Sequence, residues 1–579
     1  DWCCVPRFDH GSCFAAILDA ERGGALRLRH DGGSLSGEQR YVEDTMVLET
    51  ILHGPGGSVR VLDALVVWPD RPPAQAQLVR VLEGVEGELQ LDLSIAVRFD
   101  YGELRPWLRR DEPGLVWAIG GDDGLLISWD GGDLELDGHH DLQASARLAP
   151  GVRRRLTLTA AGATAGQRRA EAPSPAEVDR RLDETIAWWR REAGRIEGRA
   201  SAQTRRSALV LRALTFEETG AIVAAPTTSL PEVPGGERNW DYRYSWIRDS
   251  SFAVRSLGEL GLEDAAHRFG RFVLRSAAGH VDELQILFAV DGAHRVAEQV
   301  VDLAGYGGAR PVRIGNAAAG QRQVDALGEL VRTRHDWHAR GVPCDADDWR
   351  FVRSLVEYAA RAWREPDRGL WEWRDGPRHF VHSKAACWAA LDRGIRLARE
   401  LDPTAPVDEW AAEREAVGEA IATEGFDERR GTFRQAFGHD DLDAAVLLLP
   451  VTGVVAWDDE RMLSTADVIA ERLDDDGLVR RYDADDGLAG REGAFLPCSF
   501  WLAELYARQG RLERARETYE RALQAASPLG LLSEEYDTRT GQALGNFPQA
   551  LTHLAQVAAA VAIESAALRP PARAARAVG

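Results

Sequence analysis

Along the first 165 residues, apolar positions alternate with polar ones or gather in short runs that Gly and Pro interrupt. Tyr41–Ile51, Val59–Val67, Ala76–Leu82, Leu89–Phe99, Gly114–Trp117, Leu125–Trp129 and Leu156–Thr159 each read as strands. Turn signals such as Gly121-Asp122-Asp123-Gly124 and Asp130-Gly131-Gly132-Asp133 separate them. Short strands at this spacing, with no helical pattern between them, predict an antiparallel β-sandwich over residues 1–170.

The period changes near Gly166. Ser174–Arg195 carries Pro175 near its start and then charges mixed with Ile186, Trp188 and Trp189. That is a helix-entry signal followed by an amphipathic stretch, and it predicts a linker helix within 171–200. Beyond it the pattern is helical: Ala202–Thr219, Trp246–Leu260, Glu263–Ser276, Gln321–Thr333, Asp347–Ala362, Ser383–Leu401, Val407–Ala422, Asp441–Leu448, Ser464–Leu473, Gly493–Gln509, Leu512–Gln524 and Pro548–Ile563. Several fall into adjacent pairs, and six hairpins predict an (α/α)6 barrel over 201–566. The Ala/Arg-rich end, 567–579, reads as a disordered tail.

The net charge of −22 repels nucleic acid and anionic lipid, and suits a neutral ligand. No stretch is read as reaching the ~18 apolar residues that span a bilayer, and no charged segment with a following apolar run opens the chain. The expectation is no nucleic-acid partner, no membrane, and a cytoplasmic location; oligomeric state is left open. Cys3, Cys4, Cys13, Cys344, Cys387 and Cys498 show no zinc-ligand spacing and are too few for a disulfide scaffold, so reduced thiols are expected. Eighteen tryptophans favour sugar chemistry, because an indole face stacks on sugar C–H groups. Arginine supplies nearly all the basic charge. The single lysine, Lys384, and the only asparagines, Asn239, Asn316 and Asn546, therefore mark positions where no substitute serves.

Four loops collect the unusual residues: Gly235–Asp249, Gly305–Asn316, Asp367–Arg374 leading to Lys384, and Ser533–Asp537 leading to Gln549. Tyr242, Tyr244, Tyr306 and Tyr536 fall in them, as do all three asparagines. Aromatics with Arg–Asp and Glu are what a neutral sugar site requires, and Arg248–Asp249 suits the hydroxyls of a terminal sugar. Glycoside cleavage needs two carboxyl groups, one protonated and one ionised. Glu372 lies between Trp371 and Trp373, where indole walls would raise its pKa. Glu534 stands in a run with Glu535 and Asp537. Metal, phosphate and dinucleotide motifs are absent, and Asp474-Asp475-Asp476 reads as a solvated turn.

The loops resemble those of glycoside hydrolase family 15, the glucoamylase family, in a bacterial branch that also contains trehalases. The residues that carry the resemblance are Asp1–Asp9, Trp240–Val254, Arg310–Ala318, Leu370–Lys384, Glu492–Phe495 and Glu534–His553, in family order over nearly the whole chain. The resemblance implies a β-sandwich, a helical linker and an (α/α)6 barrel. It implies inversion by a single displacement, with the two carboxyl groups ~6.5–9.5 Å apart to admit water. By register it implies Glu372 as general acid and Glu534 as general base. Tyr242, Trp246, Arg248, Asp249 and Trp371 are then substrate-binding, with Arg481 on sugar hydroxyls. The fungal branch carries Gln after the base where this chain has Glu535, a further binding candidate, so a slip of one residue would exchange the two glutamates.

The leading expectation is thus an inverting exo-α-glucosidase that releases β-glucose from a small α-glucan or disaccharide, with α,α-trehalase as the alternative. No organic cofactor and no metal is expected, although a structural calcium is left open without named ligands. A disaccharide phosphorylase would not need Glu534, and would form glucose 1-phosphate. A non-catalytic sugar-binding protein would not need both glutamates.

Overall fold

The computed structural model describes residues 1–568 apart from 31, 69–75, 168, 197–199 and 280. Alternation along Gly57–Leu65 sorts its side chains onto two faces. Val59 and Val61 enter one apolar core, while Leu62 and Ala64 enter another. The strand lies in an eight-stranded antiparallel sheet, ordered Ser36–Tyr41, Leu48–Gly54, Gly57–Leu65, Gln77–Gly87, Arg153–Gly162, Asp123–Trp129, Leu115–Gly120, Trp107–Glu112. A four-stranded sheet, Glu135–Leu136, Leu142–Leu148, Leu89–Ala96, Ala25–Arg29, covers the first face. Leu91, Leu93 and Ile95 meet Val116, Leu125 and Ile127 between the sheets.

Two expectations for this domain are corrected. Tyr41–Ile51 is not one strand: Ser36–Tyr41 and Leu48–Gly54 are joined by a turn in which the Thr45 hydroxyl donates to the Val42 carbonyl and accepts from the Val47 amide. Ala25–Arg29, Trp107–Glu112 and Glu135–Leu136 escape the reading because they are edge strands, whose polar and charged side chains hide the alternation.

The second face of the large sheet is covered by α1 (Pro175–Gly194). Ser174 caps it, its hydroxyl accepting from the Glu177 amide, and Pro175 takes the first helical position. Val178, Leu182, Trp189 and Ala193 form its buried stripe against Val79 and Val81, joined by Leu209 of the next helix.

Among the described residues twelve further helices follow: α2 (Ala202–Ala213), α3 (Arg248–Glu259), α4 (Glu263–Ala277), α5 (Asp325–Ala339), α6 (Ala346–Ala362), α7 (Val381–Leu401), α8 (Val407–Thr423), α9 (Leu449–Thr452), α10 (Glu460–Arg472), α11 (Leu496–Arg508), α12 (Leu512–Leu523) and α13 (Ala550–Leu568). α13, α3, α5, α7, the Ala444–Thr452 segment and α11 touch in turn and close an inner ring, and α2, α4, α6, α8, α10 and α12 pack outside it. This is the (α/α)6 arrangement. The fifth inner member departs from expectation: Asp441–Leu448 is not an α-helix but a 3-10 turn over Ala444–Leu448, capped by Asp443, that runs into the four-residue α9.

α13 extends to Leu568, so it absorbs 567–568 of the expected tail; the remainder, 569–579, lies outside the described residues. Against the expectation, α13 is long and apolar enough to cross a membrane by length and composition, with a mean hydropathy of 1.4. Its place explains this. Inner helices have neighbours on all sides, here α2, α3, α11 and α12, and 61% of its apolar window is buried inside the protein.

Candidate active site

The predicted site residues lie at the start of α3 or in the segments that lead into inner helices. Arg248 and Asp249 open α3, Glu372 precedes α7, Arg481 precedes α11, and Glu534 precedes α13. These ends surround a pocket of about 690 Å³, lined by Tyr242, Trp246, Arg248, Trp371, Glu372, Arg481 and Glu534 among others. Its floor is apolar and buried (Ala224, Leu370, Leu551), and Arg374 is exposed at its mouth.

An aromatic pair links the two glutamates. Tyr242 and Trp246 meet edge to face, with ring centroids 5.7 Å apart. Trp246 Nε1 donates to Glu372 Oε1 at 2.7 Å, and the Tyr242 hydroxyl donates to Glu534 Oε1 at 2.9 Å. Gln549 Nε2 also donates to Glu534 Oε1, at 2.9 Å. Burial pushes the Glu534 carboxyl up to about 7, although Arg481 pulls the other way. Glu372 holds a left-handed backbone, φ +58°, which a non-glycine residue adopts at a cost of roughly 1–3 kcal/mol. Gln321 Nε2 fixes it by donating to its carbonyl at 3.2 Å. The indoles beside Glu372 in sequence are engaged elsewhere: Trp373 packs on Phe380 and Tyr482, and Trp371 Nε1 donates to Asp443 at 2.8 Å. Burial raises the Asp443 carboxyl to about 6.

Two predicted residues stand behind the wall rather than on it. Asp249 accepts from Arg248 Nε at 2.9 Å, and the Arg248 guanidinium then reaches to 3.9 Å from Glu372 Oε1. Glu535 points away from the pocket, because neighbouring side chains on an extended segment take opposite faces; its Oε2 accepts from the Gly493 amide at 3.0 Å.

Arg481 sits among carboxylates. It bonds Glu492 through both Nε and Nη2, donates to Glu232 Oε2 at 3.2 Å, and lies 3.9 Å from Glu535 Oε1. Glu232, Glu492 and Glu535 bring their oxygens within 4.8 Å of one another, a spacing that could hold a metal ion. Here the guanidinium already supplies the cation, so the donor set does not ask for one. Burial, and then the Glu534 charge, push the Glu232 carboxyl well above the usual range. Sequence reading missed Glu232, since Pro231-Glu232-Val233-Pro234 looks like an exposed turn.

All three asparagines are buried, and each donates and accepts. Asn546 Nδ2 donates to the Trp240 carbonyl at 2.9 Å, and its Oδ1 accepts from Thr227. Asn316 Nδ2 donates to the Asp241 carbonyl at 3.2 Å, and its Oδ1 accepts from the Ala318 amide. Asn239 Oδ1 accepts from Arg313 at 2.8 Å, and its Nδ2 donates to the Ala309 carbonyl. All three brace the Trp240–Asp241 wall. Arg243 and Asp241 form a fully buried two-point ion pair beside it, and Arg243 Nη1 donates to the His10 carbonyl at 2.8 Å.

The family described as "Glycosyl hydrolases family 15" matches residues 203–561, and "Trehalase-like, N-terminal" matches residues 1–188. The chain is 39% identical to the trehalase of Mycolicibacterium smegmatis, covering 97% of this chain and 87% of that protein. It is 34% identical to the trehalase of Thermoplasma acidophilum, covering 98% and 97%. The isomaltose glucohydrolase of Kribbella flavida is 28% identical over 46% of this chain and 66% of that protein. In fold, the chain resembles a bacterial glucoamylase solved with acarbose, with a TM-score of 0.74 at 14% identity, covering 97% and 90% of the two chains.

Proposed function

The chain belongs to glycosyl hydrolase family 15 and is a glycoside hydrolase, and from that premise we propose that it is an inverting α,α-trehalase. The earlier preference for a glucoamylase-like substrate gives way here. Relatives named trehalase match both domains at 34–39% identity, whereas the isomaltose enzyme aligns with under half of the chain.

The observation that carries the mechanism is the pair of glutamates facing one pocket through the Tyr242–Trp246 bridge. One glucose of trehalose enters toward Arg248 and the apolar floor. Glu372, steered by the Trp246 N–H, protonates the glycosidic oxygen. Glu534 takes a proton from the water that attacks the anomeric carbon. Its Oε1 is held by Tyr242 and Gln549, while Oε2 has no protein donor among the described residues. Glu535, turned away from the pocket, is not the base. One β-glucose and one α-glucose leave per trehalose, the β-anomer being the product of inversion.

NMR of fresh product from trehalose, maltose and isomaltose tests this. Equal initial α- and β-glucose from trehalose, with maltose and isomaltose cleaved at least tenfold more slowly, is the expected result. Only α-glucose at early times would overturn inversion, and faster cleavage of maltose would overturn the substrate. Glu372→Gln and Glu534→Gln should each lower kcat by about 10²–10⁴-fold, whereas Glu535→Gln should leave an enzyme at least tenfold more active than Glu534→Gln.

A further inference from the structure

Part of the wall of the pocket is made by the segment Tyr482–Leu488, where the pocket adjoins a second cavity. Arg238, Arg481, Tyr482, Asp486 and Leu488 line both, while Asp483, Ala484 and Asp485 line the second alone. At its start Tyr482 bridges to Asp443, the Asp483 amide donates to the Leu442 carbonyl, and Ala484 packs against the cluster of Trp373 and Phe380. Its far end, Asp485–Leu488, is irregular and is held by the Arg238 side chain. Arg238 Nη2 and Nη1 donate to the two oxygens of Asp486 at 2.6 and 2.7 Å. The same guanidinium donates to the carbonyls of Leu488 at 3.0 Å and Ala489 at 3.3 Å. The Tyr482 hydroxyl donates to Asp486 Oδ2 at 2.8 Å. Arg238 is 3% exposed and Asp486 7% exposed. Arg238 also pairs with Glu492, so loss of Asp486 frees the loop from the guanidinium, whereas loss of Arg238 leaves the Asp486 carboxylate buried without a cation and the loop would move to rehydrate it.

We propose that Arg238 and Asp486 are the residues that set substrate length: their clasp closes the pocket around two sugar rings and bars a third. The clasp carries Tyr482 and Leu488 to the mouth, opposite Trp240, where they face the second ring. With the clasp undone, the pocket widens into the second cavity, and a chain one ring longer fits. The closed state suits trehalose, which ends in a ring on both sides of its only glycosidic bond. The inference rests on the disaccharide reading above and adds its structural cause.

The test measures kcat and KM of wild type, Asp486→Ala and Arg238→Ala on trehalose and on trehalose extended by one α-glucosyl residue. Asp486→Asn, isosteric and able to keep the Tyr482 bond, serves where the alanine variants fold poorly. The same ratio is read as binding, by tryptophan fluorescence titration with each sugar. Wild type should prefer trehalose over the trisaccharide by at least 100-fold in kcat/KM. Undoing the clasp should raise KM for trehalose about tenfold, change kcat less than threefold, and shrink the preference at least tenfold. A preference unchanged within a factor of two in both alanine variants, or in Asp486→Asn where those do not fold, overturns the proposal, as does a wild type that accepts both sugars equally. If wild type cleaves maltose and not trehalose, the disaccharide reading has failed by itself. The clasp is then tested with maltose and maltotriose against the same thresholds.

Discussion

At the scale of residues, scarcity proved informative. Asn239, Asn316 and Asn546 stood out only because the chain has no others, and the fold shows why arginine, aspartate or serine cannot replace them. Each must donate and accept within one buried span. Asn546→Ala should cost about 1–3 kcal/mol, read from urea unfolding, with KM raised because Trp240 loses its brace. Lys384 follows the same logic: it is wholly buried and donates to the Glu365 carbonyl at 2.6 Å. Lys384→Arg should destabilise by about 1–3 kcal/mol through overpacking, and a variant as stable as wild type would show that the site has room. Gly545 has φ +75°, and a Cβ there would stand 2.9 Å from Glu534 Oε2. Gly545→Ala should therefore cut kcat more than it raises KM. The glutamates read from sequence fell where aromatics marked them. Glu232 did not, because its burial comes from contacts 249 residues away, with Arg481. The pH profile belongs to this scale too. A base pushed up to about 7 works only when ionised, and Glu372 works only when protonated, so kcat/KM should rise with pH as Glu534 ionises, through about 7, and fall again as the acid loses its proton. A flat profile from pH 5 to 8 would contradict Glu534 as base.

At the scale of elements, periodicity found what was buried on one side and failed at exposed edges. Edge strands such as Ser36–Tyr41 face water too much to alternate in hydropathy, whereas α13, read from Pro548–Ile563, was found as a helix although its flanks are buried all round. The short inner member, Ala444–Thr452, read as an ordinary helix because apolar runs look alike in 3-10 and α turns. α1 was legible from its cap and its tryptophans, and the structure adds that its stripe is shared between the large sheet and Leu209 of α2. Trp189→Ala should cost about 3–5 kcal/mol and lower the thermal midpoint, while leaving kcat near wild type because α1 contributes nothing to the pocket. Loss of activity at temperatures where the protein stays folded would count against that separation.

At the scale of the whole molecule, buried titrating groups set a stability window. Burial, with Asp367 and Glu329 adding to it, pushes Asp325 up to about 8, and Asp443 rises to about 6. A carboxyl raised on folding holds its proton more tightly in the native state. Its contribution is complete below the unfolded value near 4 and is lost as pH rises toward 8. Burial holds His382 down to about 4 and His553 to about 3. Their contribution is complete above 6.5 and is lost as pH falls through those values. The two trends oppose, so the thermal midpoint should peak near about pH 6 and fall toward both pH 4 and pH 9; a midpoint still rising at pH 9 would refute the assignment. Domain order and fold class were legible from the chain, but the joint between the domains was not. The chain reaches the helical half at several places besides α1: Trp2 Nε1 donates to the Pro226 carbonyl, Arg243 holds the His10 carbonyl, Asp19 accepts from the Ala304 amide, and Arg206 donates to the Thr45 carbonyl. A crossover between related genes at the α1–α2 junction would thus cut only one of these seams. Hybrids that take the sandwich from one parent and the barrel from another inherit a mismatched contact beside Asp241, so the two halves are expected to be inherited as one unit.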